Sequence, residues 1–175
     1  MNSSSPGSPK TGSPASLVLR TLAEGDRAAL EAIVRATEAF SEAEVAVALE
    51  LIDAPRSEGY QFLVAELGGR VVGYVCYGET GDELSSWDLY WIAVDPKLQR
   101  SGIGHTLLEA TELEIGRAGG RRVVIETGGK PSYARTRAFY ERHGYQEIAR
   151  SANFYAIGDD KVVYACDLAR PDQAR

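Results

Sequence analysis

Apolar residues recur along this chain with two alternating periods. Leu17-Val18-Leu19-Arg20 reads as a first strand, and Leu30, Ile33, Val34 and Thr37 then share one helical face. Val45, Ala48, Leu49 and Ile52 line a second helix, which Ser41 and Glu44 open as a capping box and Pro55 follows. Two strand runs, 60–67 and 70–77, flank Gly68-Gly69 and predict a β-hairpin. Residues 78–85 read as a polar loop. Trp87 to Val94 is apolar on both faces at its C-terminal end, as a covered central strand would be. Ile103, Leu107, Leu108, Thr111 and Ile115 stripe a third helix, stopped by Gly119-Gly120. Val123-Val124-Ile125 is a buried strand. Ser132 is the expected cap of a short helix reaching His143, and strands at 145–150 and 161–168 end the pattern.

This order predicts an α/β fold in one domain, a mixed sheet with helices on both faces. The strand–helix–strand unit from Trp87 to Thr127 is expected to be a right-handed parallel crossover. Residues 1–16, rich in Ser, Pro and Gly, are expected to form a disordered tail, 17–170 the domain and 171–175 a flexible C-terminus.

Composition narrows the function classes. The net charge of -6 argues against a general nucleic-acid binder, which needs a basic footprint. No apolar stretch is long enough to span a bilayer and the N-terminus lacks a hydrophobic signal core, so the expectation is a cytoplasmic protein without a membrane partner. Cys76 and Cys166 fit no zinc or redox spacing and read as free thiols. His105 and His143 fit no metal or triad spacing. They read as a helix-surface residue and a charge near a helix C-terminus, and no metal is expected.

The chemistry concentrates at Gln99-Arg100-Ser101-Gly102-Ile103-Gly104, between a strand and a helix start. Free N–H groups and the positive helix end converge there, which suits a phosphate. A dinucleotide loop would need glycine where Leu107 stands. A Walker loop at Gly129-Lys130 would need glycine at Val124 and Ser or Thr at Pro131. Both spacings fail. The pattern that fits is [Gln/Arg]-x-x-Gly-x-[Gly/Ala], met by Gln99, Gly102 and Gly104.

With the run Trp91-Ile92-Ala93-Val94-Asp95-Pro96 before it and Phe139-Tyr140-Glu141-Arg142-His143-Gly144-Tyr145 after it, the chain resembles the GNAT acyl-coenzyme A N-acyltransferase superfamily over about residues 17–168. The resemblance implies a mostly antiparallel sheet with a central splayed parallel strand pair. It implies acetyl-coenzyme A as co-substrate and direct transfer to a primary amine, on a small molecule or a peptide. A coenzyme A-binding sensor or scaffold without catalysis is the alternative. Paired protomers are common in the family, so a homodimer is possible.

By the same resemblance, the main chain of Ile92, Ala93 and Val94 would hold the pantetheine arm, and Gln99, Arg100, Ser101, Gly102, Ile103, Gly104 and His105 would seat the pyrophosphate. Tyr140 would protonate the leaving thiolate. Glu126 resembles the base of protein N-terminal acetyltransferases, as a desolvated carboxylate with a raised pKa, or it only orients a neighbour. Asp88, Tyr90 and Phe40 are candidates for binding the amine. One departure stands out: many relatives place a pantetheine-contacting asparagine seven residues before the active tyrosine, and here that position is Tyr133, which is carried as the cofactor-binding candidate there.

Overall fold

The computed structural model describes residues 16–37, 40–82 and 84–169. Nearly all of the expected N-terminal tail and the whole expected C-terminal segment lie outside the described residues. A first strand, β1 (Leu17–Thr21), leads through a 3-10 turn into α1 (Arg27–Ala36) and α2 (Glu42–Asp53). The hairpin β2 (Gln61–Leu67) and β3 (Arg70–Glu79) follows, then β4 (Ser86–Val94) and α3 (Ile103–Arg117). The chain closes with β5 (Arg122–Gly128), α4 (Ala134–Arg142), β6 (Gln146–Ala156) and β7 (Asp159–Asp167). The seven strands form one sheet in the order β1-β2-β3-β4-β5-β7-β6.

Each face of the sheet has its own apolar core because the strands alternate their side chains. Leu30, Ile33 and Val34 of α1 and Val45, Ala48 and Ile52 of α2 pack with Val64, Tyr74, Cys76 and Ala93. On the other face Ile103, Leu107, Leu108 and Ile115 of α3 join Val75, Leu89, Ile125 and, from α4, Tyr140. Leu107 and Leu108 are fully buried, and each stabilises the fold by about 2 kcal/mol. Ser41 caps α2 as expected: its hydroxyl accepts the Glu44 N–H, and the Glu44 carboxylate accepts the Ser41 N–H.

Three local expectations are corrected. β3 runs on through Gly78 and Glu79, so the polar loop is shorter than 78–85. Asn153-Phe154-Tyr155 lies within β6, because the last hairpin turns only at Ile157-Gly158. Ser132 caps nothing: Pro131–Tyr133 is a 3-10 turn running directly into α4, whose N-cap position is Tyr133.

The centre of the sheet positions the site. β4 and β5 are parallel, yet they pair only at Ser86–Arg122, Trp87–Val123 and Asp88–Val124. Beyond Asp88 they separate. The register of β4 against β3 shifts between Trp91–Cys76 and Leu89–Tyr77, leaving Tyr90 as an extra residue. A bulge bends its strand, so this irregularity carries β4 away from β5. From Leu89 to Val94 the β5-facing edge of β4 has no strand partner among the described residues.

Candidate functional site

On the α3 and α4 side, the gap opens into a groove of about 710 Å³. Ile92, Ala93 and Val94 form one wall, Gln99, Arg100, Gly102, Gly104 and His105 the loop and helix start, and Arg135, Phe139, Tyr140 and Arg142 the opposite wall. At the loop, Arg100 and Gly102 are both left-handed, with φ of 68° and 88°. Such alternation turns successive N–H groups toward a common side. The first backbone hydrogen bond of α3 is Thr106 N–H to Gly102 C=O at 2.9 Å. Among the described residues, the N–H groups of Ile103, Gly104 and His105 therefore have no backbone acceptor.

The two motif glycines differ in role. Gly102 needs its conformation, since a side chain at φ 88° is strained. Gly104 is an ordinary helical residue, and a Cβ there would meet Phe139 and Val94 at an unstrained 3.8 Å.

The groove is electrostatically distinct from the chain around it. Arg100, Arg135 and Arg142 line it, and no carboxylate does among the described residues, although the whole chain carries -6. Arg135 and Arg142 are seven apart and share one face of α4. Arg137 is turned elsewhere, with Nη1 donating to the Gly128 and Lys130 carbonyls at 2.6 and 3.1 Å. Tyr140 is buried at the groove wall against Phe139, Tyr145 and Tyr164. Burial pushes its phenol above the ordinary range, which keeps the proton on it, and its hydroxyl bonds no described residue.

The opposite face of the gap is acidic. Val123 and Ile125 point into the α3 core, so Glu126 alternates to the other side. Asp88, half-buried, lies on that side of β4. Burial pushes its carboxyl upward, and Glu126 and Asp82 add to the effect. Glu126 is exposed and paired with Lys161 at 3.0 Å, rather than desolvated as its strand-end position suggested. Tyr90 crosses Gly78, where a Cβ would meet its ring at 3.1 Å, and stands edge-on to Tyr60. Phe40 packs on Trp91 with ring centroids 4.7 Å apart.

Of the candidates for holding the donor, Ser101, Ile103 and Tyr133 do not line the groove. Ile103 is buried in the core, and the Ser101 hydroxyl donates to the Leu98 carbonyl. The Tyr133 hydroxyl donates to Glu44. Sequence reasoning missed Arg142, which the seven-residue step from Arg135 would have revealed. It also missed the contact between His105 Nδ1 and His143 Nε2 at 2.9 Å. The carbonyl of Phe139 can only accept, so His143 gives it Nδ1–H at 2.7 Å and turns Nε2 to His105. No local spacing signals a pair 38 residues apart.

A basic groove with an open strand edge on one face and carboxylates on the other suits an enzyme that draws an acyl group from a long anionic carrier. Residues 58–147 match the family model described as an acetyltransferase (GNAT) domain, and the chain belongs to that family. It is 30% identical over 118 residues to the [ribosomal protein bS18]-alanine N-acetyltransferase of Escherichia coli (strain K12), covering 65% of this chain and 76% of that protein. A GNAT-family acetyltransferase from Desulfovibrio desulfuricans superposes with a TM-score of 0.81 at 37% identity, covering 88% of this chain and 100% of the other. An aminoglycoside 6'-N-acetyltransferase solved with coenzyme A shares the fold, with a TM-score of 0.70 at 17% identity over 89% of this chain and 99% of that one. The chain is an N-acetyltransferase that moves an acetyl group from acetyl-coenzyme A to an amine. No helix among the described residues is long and apolar enough to cross a membrane.

Proposed function

We propose that the acceptor is the α-amino group of a polypeptide. The observation that carries this reading is an apolar ridge beside the acidic face. Phe154, Tyr155 and Ile157 are 57%, 50% and 100% exposed at the β6–β7 tip. Lys161, the partner of Glu126, lies 4.5 Å over the Phe154 ring. Lys161 thus links the ridge directly to Glu126, and burial raises the neighbouring Tyr155 phenol. A compact amine can meet one such ring only through its charge, whereas a peptide can lay the residues after its amine across the whole ridge. The similarity to the bS18-alanine enzyme supports the same reading.

Acetyl-coenzyme A supplies the thioester. Arg100, Arg135, Arg142 and the N–H groups at the start of α3 hold the phosphates, and the open edge of β4 takes the pantetheine arm. Glu126, with Asp88 beside it, takes the ammonium proton directly or through water. The freed amine forms the new C–N bond as the C–S bond breaks, Tyr140 gives its proton to the departing sulfur, and the second proton shed by the nitrogen returns through solvent to the Tyr140 phenolate. Two unpaired cysteines, Cys76 and Cys166, fit a reducing cytoplasm.

The test is thiol release from acetyl-coenzyme A with an alanine-initiated hexapeptide, a polyamine and an aminoglycoside in parallel. The peptide alone is expected to turn over well, with one acetyl group at its α-amine by mass spectrometry. Preference for either small amine would overturn the peptide assignment. Tyr140→Phe and Glu126→Gln are each expected to lower kcat by about 100-fold. An unaltered kcat in either removes that residue from the mechanism, and loss only in Asp88→Asn would move the base there.

A further inference from the structure

Tyr133 faces away from the donor groove, and its surroundings are built to hold it there. Its ring rests on bare backbone, since a Cβ on Gly128 would lie 2.7 Å from Tyr133 Cδ2. Lys130 Nζ stands 5.3 Å over the ring centroid and 3.3 Å from Asp159. Asp159 Oδ1 accepts the Gly129 N–H at 3.1 Å, and Arg137 holds the Gly128 and Lys130 carbonyls. From this fixed loop the Tyr133 hydroxyl donates to Oε1 of Glu44, 89 residues away in the chain. Oε2 of the same carboxylate accepts the Ser41 N–H and hydroxyl, both at 2.7 Å. Burial raises the Glu44 carboxyl, but the bonds from Tyr133 and Ser41 outweigh it and hold the group below its usual range.

One carboxylate thus ties the start of α2 to the loop between β5 and α4. Phe40, just before that start, is the residue that packs on Trp91 of β4. The tie lies on the acceptor side, because α2 packs on the sheet face opposite α3, the face to which Glu126 alternates.

We propose that the Tyr133–Glu44 bridge is a strap that fixes the acceptor entrance, with both residues positioning the Phe40 segment rather than touching the reacting atoms. The proposal rests on the acceptor reading given above and names a determinant of its selectivity. The carboxylate is ionised well below neutrality, so the strap holds unchanged through neutral and mildly alkaline pH.

The strap is tested in the full-length enzyme by two independent readouts. In Tyr133→Phe, which keeps the ring on Gly128, amide hydrogen exchange across residues 40–46 is expected to accelerate. Unchanged exchange there overturns the strap whatever the acceptor is. With the alanine-initiated hexapeptide, the same variant is expected to raise the acceptor KM about tenfold with kcat within about twofold, at every pH from about 6.5 to 8.5. Acetyl-coenzyme A affinity, measured by calorimetry, is expected to stay within about twofold. A matching loss of coenzyme affinity would return Tyr133 to the donor site and overturn the proposal. Glu44→Ala, which also loses the Ser41 bonds, should raise the KM at least as far as Tyr133→Phe, and adding Tyr133→Phe to it should cause no further loss. Glu44→Gln, whose amide still meets Tyr133 and Ser41, should restore the wild-type KM. Additive losses, or no rescue by glutamine, count against a shared bridge. If the wild-type enzyme fails to acetylate the peptide, the acceptor reading falls and the exchange experiment alone judges the strap.

Discussion

Single residues divide the donor loop into what the protein needs and what the ligand needs. Gly102 sits at φ 88° with open space where a Cβ would go, so its constraint is conformational. Gly102→Ala is expected to cost about 1 kcal/mol in denaturant unfolding. Gly104→Ala meets no clash and is expected to leave both stability and coenzyme affinity within error. A large loss of affinity in Gly104→Ala would show that the ligand fills the space beside Phe139. The glycine spacing was legible in the sequence because it follows from helix-start geometry. The direction of a side chain was not: Tyr133 read as a donor contact, yet it bonds Glu44. Glu126 read as desolvated, yet it is paired with Lys161. Those outcomes depend on partners 89 and 35 residues distant, which no local pattern encodes.

The elements themselves were legible where periodicity was strong. The α3 stripe, the Gly68-Gly69 hairpin and the Ser41–Glu44 box all follow from local chemistry. Strand ends were less so: β3 extends through Gly78 because Gly78 makes room for the Tyr90 ring. Tertiary ties decide such ends, and one of them joins β1 to the turn before α1. Arg20 of β1 forks onto Asp26 at 2.6 and 2.8 Å and also reaches Glu66 of β2. The Arg20 bonds hold the buried Asp26 carboxyl below its usual range, with the Ala23 N–H assisting and burial opposing. A depressed carboxyl contributes stability above its unfolded pKa and loses it as pH falls through the folded one. Asp26→Asn is therefore expected to destabilise the protein by about 2 kcal/mol at pH 7. The gap to wild type should narrow steadily below about pH 4 in thermal unfolding. A gap that stays constant down to pH 2 would remove the ion pair as its cause.

Across the whole molecule, charge is sorted by face. The chain is acidic, but its groove presents Arg100, Arg135 and Arg142, while Asp88 and Glu126 gather on the opposite side. Net charge alone concealed this arrangement, since only folding brings residues 100, 135 and 142 together. Coenzyme binding to such a groove is expected to weaken by about tenfold between 50 mM and 500 mM salt, as screening shortens the reach of the arginines. Calorimetric titration of acetyl-coenzyme A across that range checks this, and a flat affinity would leave the holding to backbone N–H groups. The scarcity of pairing between β4 and β5 carries a different consequence. Among the described residues, three residue pairs are the only ladder joining β1–β4 to β5–β7. The two half-sheets cohere mainly because Val123 and Ile125 share an apolar cluster with Leu107 and Leu108. A ladder this short leaves the coupling of the halves to that cluster. A donor laid along β4, as proposed, would act as a removable seam that tightens the hold of one half of the sheet on the other.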